Sequence, residues 1–278
     1  MTSTVLMMVL AAAVLHAVWN AIVKASEDQT IVLGLIALGH VVLGIVMAFN
    51  APLPSVESWV FIFASTIIHF GYYYLLNISY RLGDLSQTYP IARGISPVLI
   101  TLGALVFVGE NLQPQAWAGV LVVTLGIFLL SGDIWRGKMD AKLLLTALAT
   151  GLTIATYSLV DGIGARTSGT AIGYIGWLFI FEVFVVMFVI VRRKGLVLKM
   201  SPKLALMGIS GGIISASAYG LVIFAKTLAP LGMVSTLRET SVLFAALIGI
   251  LVLGERPWRG RLVAASVVLA GVLLLATA

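Results

Sequence analysis

Ten stretches of about twenty almost wholly apolar residues follow one another along the chain, and no other feature narrows its fold so far. They run over about 3–23, 31–49, 57–79, 85–108, 114–131, 141–161, 171–191, 203–225, 231–253 and 259–277. A helix of that length covers the roughly 30 Å of hydrocarbon in a bilayer. The connections, such as "KASEDQT", "NAPLPSVE" and "GENLQPQ", are too short to hold a soluble domain. Alternation of period two is absent, which argues against a membrane barrel. Only 10% of the 278 residues are charged, against roughly 25% in soluble domains. Mean hydropathy is +1.11. The expected fold is therefore all-α and integral to the membrane, with ten transmembrane helices.

Several function classes fall away at once. The net charge of +6 is scattered over short loops rather than gathered on one face, so nucleic acid is not an expected partner. The chain has no cysteine, which excludes disulfides and thiolate chemistry. The first apolar run follows Met1-Thr2-Ser3-Thr4 without a basic region and continues to Val23, so it is expected to stay as an uncleaved anchor. No phosphate-binding loop of the G-x-x-x-x-G-K-[ST] kind occurs, which removes ATP coupling within the chain. No metal spacing such as H-E-x-x-H occurs either, so neither an enzyme, a metal site nor a cofactor is expected.

The distribution of Lys and Arg predicts orientation. Thirteen of the seventeen fall in loops facing away from the termini, Arg166 and Lys226 fall in loops on the termini side, and Arg93 and Arg238 fall inside spans. Short positively charged loops stay in the cytoplasm. Both termini are thus expected on the non-cytoplasmic side of the cell (inner) membrane.

The chain also repeats itself. "YRLGDLSQTYPIARGISPVLITLGALVFVGE" (80–110) lies over "AKTLAPLGMVSTLRETSVLFAALIGILVLGE" (225–255) without a gap at an offset of 145. Arg81 meets Lys226, Arg93 meets Arg238, Ser96 meets Ser241, and Gly109-Glu110 meets Gly254-Glu255. Two units of five spans follow, 1–133 and 139–278. Because five is odd, the second enters the membrane from the opposite side. Inverted repeats of this kind place a substrate site near midplane, at the interface between the units.

Arg93 lies nine residues beyond Asp84, about 13 Å along a helix, and Arg238 occupies the matching depth of the ninth span. An arginine at the helix centre costs about 2.5–3.5 kcal/mol on insertion scales. Two such costs at related positions are met most easily by a shared wet cavity. The alternative is a structural partner for each, with Glu239 or Glu182 neutralising Arg238. Pro90 and Pro97 remove backbone donors from the fourth span, while residues 233–247 of the ninth hold neither Pro nor Gly. The fourth span is expected to bend and the ninth to stay stiff.

Other polar groups form stripes at helical spacing. His16, Trp19 and Asn20 share a face of the first span, with Lys24 two turns beyond His16. His69, Tyr72, Tyr73 and Asn77 do so in the third, and Thr153, Tyr157 and Asp161 in the sixth. Glu182 is alone in the middle of the seventh, and a lone intramembrane acid is a functional candidate by default. The histidines could equally bond helix to helix, and Trp19, Tyr89, Tyr157 and Tyr219 could pack as readily as stack on a ligand. Trp117, Trp135 and Trp258 suit the membrane interface, and Gly208, Gly211 and Gly212 suit close helix contact.

Ten spans in two halves, the "LHAVWNAIVK" opening, Pro90 in the fourth span and "GE" closing spans four and nine resemble the drug/metabolite transporter superfamily. They are most similar to its ten-helix branch of EamA-type metabolite exporters, over essentially the whole chain. That resemblance implies a basket of helices around a central cavity, lined by the first, third, fourth, sixth, eighth and ninth spans. Carried over by position, it implies substrate-binding roles for Arg93, Arg238, His16, Trp19, Asn20, His69, Tyr73, Tyr89, Tyr157 and Tyr219. Glu182 and Glu239 are left for coupling or charge balance. It also implies peripheral fifth and tenth spans with homodimer contacts. Mid-span arginines at both repeat positions are not general to the family. The superfamily's phosphate-sugar exchangers do use basic cavity residues, which leans the expectation toward anions. Members with ten helices are commonly drawn with cytoplasmic termini, opposite to the charge count. The expected activity is secondary transport of a small anionic or zwitterionic metabolite, outward by the resemblance and with protons as a second ligand. A flippase for a lipid or lipid-linked headgroup, with a cavity open sideways to lipid, is the alternative.

Overall fold

A computed structural model describes residues 1–24, 26, 28–82, 85–130, 140–197, 200–251 and 258–278. Helices run along nearly all of it: α1 (Ser3–Lys24), α2 (Gln29–Phe49), a short 3-10 turn (Val56–Ser58), α3 (Trp59–Leu82), α4 (Leu85–Val108) and α5 (Pro114–Leu129). After residue 140 come α6 (Ala141–Thr167), α7 (Ala171–Ile180), α8 (Val183–Val197), α9 (Pro202–Lys226), α10 (Leu231–Arg238), α11 (Ser241–Leu251) and α12 (Trp258–Ala276). No strand occurs among the described residues. The expectations for Asp84, Trp135 and Gly254-Glu255 lie outside them, as do those for the side chains of Tyr73, Tyr89, Lys24, Asn77 and Trp258.

Local chemistry sets the helix ends. Asp28 accepts from the backbone N–H groups of Thr30 and Ile31 at 3.0 and 3.1 Å to start α2, and Thr170 and Ser201 do the same for α7 and α9. Pro114 and Pro202 stand in the first turn of their helices, where a missing N–H costs nothing. Gly109 takes φ +73° just past α4, and the N–H of Glu110 reaches back to the carbonyl of Ala104 at 3.1 Å. Only a residue without Cβ enters that backbone region freely.

Among the described residues six segments are long and apolar enough to cross a membrane: 3–23, 30–49, 90–108, 141–167, 171–195 and 202–226. Three shorter apolar helices accompany them. Large apolar side chains such as Phe49, Ile67, Phe107, Phe188, Leu206 and Leu273 stand exposed on the outside, as they must where the solvent is lipid. The protein is a multi-pass membrane protein.

Two of the expected spans are interrupted. The seventh divides into α7 and α8 at Phe181-Glu182, and the ninth into α10 and α11 at Glu239-Thr240. At both places the backbone tightens to bonds three residues apart, Glu182 to Phe179 and Val185 to Glu182, then Thr240 to Leu237 and Val242 to Glu239. The fourth span, expected to bend, is one helix through Pro90 and Pro97. The hydroxyls of Ser96 and Thr101 bond the carbonyls of Ala92 and Pro97 at 2.6 and 2.8 Å, one turn earlier on the same helix. The stiff-ninth expectation fails because it counted only Pro and Gly.

α6 packs against both α3 and α4, α9 against both α1 and α2, α2 also against α7, and α5 against α12. Small residues set the closest approaches. A Cβ on Gly212 of α9 would lie 2.8 Å from the Cα of Gly39 on α2 and 2.6 Å from the Ile36 carbonyl. Gly208 is equally tight against Leu35, but Gly211 meets nothing nearer than Ile22 at 3.5 Å, so it is not a contact glycine.

One end of the bundle gathers the segments after α2, α4, α6 and α9. Ser55 bonds the carbonyls of Thr167 and Ser168. Glu110 pairs with Arg166 at 2.6 Å, and Arg166 also donates to the carbonyls of Lys226 and Ala229 at 2.7 and 2.8 Å. The second Glu110 oxygen accepts from the N–H of Leu231 at 2.7 Å, capping α10. Lys226, counted from the sequence as a loop residue, is fully buried there and donates to the Ser158 carbonyl at 2.9 Å.

Candidate functional site

The two intramembrane arginines both turn inward. Arg93, on α4, is 4% exposed, and Arg238, at the end of α10, is 5% exposed. Their surroundings differ. Arg93 holds Glu239, with Nη1 donating to Oε1 at 3.3 Å and Nε lying 3.2 Å from Oε2. The second approach is an ion contact rather than a hydrogen bond, since Oε2 has no hydrogen-bonding partner in line with it. Nη2 of Arg93 meets Nε2 of His16. Glu239 therefore bridges from the break in the ninth span to the fourth span, 2% exposed.

His16 is hemmed in by donors. Trp19 Nε1 points at its Nδ1 at 3.3 Å, and the indole ring stands edge-on at 5.1 Å. A neutral imidazole has one acceptor nitrogen, so it satisfies Trp19 or Arg93 but not both, and protonated it would satisfy neither. Asn20 turns its amide back to the His16 carbonyl at 2.7 Å and so spends its donor on its own helix.

Arg238 has no hydrogen bond or ion pair among the described residues; its guanidinium lies over the ring of Tyr219, 5.7 Å from the centroid. Tyr219, on α9, gives its hydroxyl to Asp161 of α6, and Tyr174 of α7 gives its own to the other Asp161 oxygen at 3.1 Å. Asp161 is fully buried, satisfied by two neutral donors. Tyr157, one turn before it, stacks on His69 of α3 at 4.2 Å and 28°, and stands edge-on to Tyr72 and Tyr219. His69 in turn donates from Nδ1 to the Ser65 carbonyl at 2.8 Å.

The structure thus brings His16, Trp19, Arg93 and Glu239 into one group, and His69, Tyr157, Tyr219 and Arg238 into an adjoining one. Tyr73 and Tyr89 fall outside the described side chains. Glu182 does not join either arginine: it pairs with His40 of α2 at 2.9 Å. The suggestion that it balances Arg238 is corrected on that ground. Sequence reasoning passed over His40 and Tyr174 and took buried Lys226 for a loop residue. A lone polar residue in an apolar run gave the only signal for His40, and nothing local marked Tyr174. A cleft between α3 and α7–α8 is lined by Thr66, His69, Phe70, Leu178, Phe181, Glu182 and Val185. Neither arginine lines it. No group of three or more His, Asp or Glu able to hold a metal occurs among the described residues.

Residues 3–132 match the EamA-like transporter family. Over that stretch the chain is similar to a family of transporters. The match agrees with the resemblance to the EamA-type branch of the drug/metabolite transporters drawn from the sequence. No curated protein matches the chain. Among solved structures 28 chains match. One, a crystal structure of a protein, is similar to this EamA-like chain over 99% of both chains with a TM-score of 0.80 and 16% identity. At that identity the likeness is one of fold.

Proposed function

We propose that this EamA-like protein is a secondary carrier that exports a small anionic or zwitterionic metabolite by alternating access. Arg238 carries the proposal. It is a buried guanidinium with no carboxylate within ion-pair distance among the described residues, and a buried charge without a close partner is costly. A carboxylate or phosphate of the substrate would relieve that cost, since guanidinium binds such groups through paired hydrogen bonds. Tyr219, Tyr157 and His69 would form the wall against which the rest of the ligand lies. Glu239, held by Arg93, would meet an ammonium on a zwitterion or exchange one partner for the other during the cycle. Protons would be the second ligand.

The packing supports an inverted repeat. Exchanging the first five spans for the second five turns the α3–α6 contact into α9–α1 and the α4–α6 contact into one between the ninth span and α1, and both kinds occur. The α5–α12 and α2–α7 contacts map onto themselves. Ten spans in two inverted halves, termini on the non-cytoplasmic side of the inner membrane, and a homodimer through the outer faces of α5 and α12 complete the reading.

Uptake into proteoliposomes with a panel of anionic, zwitterionic and cationic metabolites, with and without a pH gradient, is the test. Anions or zwitterions should be carried; transport restricted to cations overturns it. The cleft between α3 and α7–α8 favours a second reading. It opens beside exposed Phe70 and Ile67, and a flippase for a lipid-linked headgroup would need such a lateral door. Transport that requires an acyl tail would select it.

A further inference from the structure

Beside the arginine cluster lies a second buried polar pair. His40 is 6% exposed in the middle of α2, with Nδ1 2.9 Å from Glu182 Oε1. Glu182 sits where α7 gives way to α8, on the backbone turn that tightens there. Each partner spends one atom on the other. The remaining atoms, His40 Nε2 and Glu182 Oε2, are buried and have no hydrogen-bond partner among the described residues. Polar atoms left so are uncommon in a settled core.

An imidazole and a carboxyl at this distance hold one mobile proton between them, and with it the pair is neutral in either arrangement. Without it the pair is a buried anion. No Lys or Arg reaches Glu182 within ion-pair distance among the described residues. Facing the pair are His69 across the cleft from α3 and, beyond the Phe179 ring that lies 4.9 Å from His40, Tyr219 of α9. Arg192 of α8 lies over Phe188 instead. Glu182 lines the cleft, and the opposite wall carries His69, stacked on Tyr157 of the central cluster.

We propose that His40 and Glu182 form a proton-binding site, separate from the arginines, which exchanges one proton through the cleft between α3 and α7–α8. On release the O–H or N–H bond breaks, the proton passes to water in the cleft, and the charge of the pair goes from zero to minus one. That the exchange serves transport rests on the carrier reading; the binding of the proton does not.

The proton itself is the probe. Infrared difference spectra of the full-length protein in phosphatidylcholine vesicles, titrated from acid to alkaline pH, should contain a buried carboxyl signal that vanishes in Glu182→Gln. Glu239→Gln should leave it in place. His40→Gln, which keeps the acid and removes its partner, should move its midpoint by about one pH unit or more, a tenfold change in proton affinity. A wild-type protein with no such signal, a signal that survives Glu182→Gln, or a midpoint unmoved in His40→Gln overturns the proposal. None of these readings uses transport. A failed titration therefore leaves the anion carrier standing, and failed uptake leaves the proton site standing.

Discussion

Arg93 and Arg238 align when residues 80–110 are laid over 225–255, and yet they carry different burdens. Arg93 is one half of an ion pair that leaves a carboxylate stranded if it is removed, and breaking a buried pair costs about 3–5 kcal/mol. Arg93→Ala should therefore lower thermal stability as well as transport, and Arg93→Ala with Glu239→Ala should recover much of the stability and none of the transport. Arg238 lies over the Tyr219 ring and makes no ion pair among the described residues. Arg238→Ala should melt within a few degrees of the wild type while anion uptake falls at least tenfold. Equal loss of stability in the two single variants, measured by thermal unfolding in detergent, would make both arginines structural. Arg238→Lys should restore little, because a point charge does not replace a planar fork.

At the scale of the element, an acid marks each interruption among the apolar spans. Glu182 and Glu239 lie where their helices tighten to bonds three residues apart, and each finds its partner on a different helix, His40 on α2 and Arg93 on α4. A short 3-10 stretch inside a helix often marks a hinge. Between intact helices the glycines decide how near the axes come. Gly212→Ala would push a methyl against the Ile36 carbonyl and the Gly39 backbone, at a cost of about 1–3 kcal/mol for the forced shift. Gly211→Ala, one residue earlier with its nearest neighbour at 3.5 Å, should be neutral or slightly stabilising, since alanine favours helix over glycine by about 1 kcal/mol. Parallel melting curves of the two variants check the contrast; similar losses would place the α2–α9 contact elsewhere.

For the whole molecule, one end is tied by Glu110, Arg166 and the carbonyls of Lys226 and Ala229. An alternating carrier must release such ties in part of its cycle. Arg166→Ala should raise the labelling rate of a cysteine placed at Thr227 several-fold, and the chain's lack of native cysteine makes that reading clean. An unchanged rate would mean the ties are not what closes that end. A cysteine placed at Ala278 should react with a membrane-impermeant maleimide added outside intact cells; reaction only after lysis would reverse the orientation drawn from the Lys and Arg count.

Membrane class and helix positions were legible in the sequence because oil tolerates neither unbonded backbone nor scattered charge, so every crossing must announce itself as an apolar run. The repeat made Arg93 and Arg238 candidates for the same reason, each being a charge where none is cheap. What the sequence could not assign was partnership. Whether Glu239 meets Arg93 or Arg238, whether Glu182 meets an arginine or His40, and whether a helix breaks at proline or at an acid depend on which faces of distant helices come together. Those contacts join residues more than a hundred positions apart, and only tertiary packing, which sets the competing costs of burial and pairing against one another, decides between them.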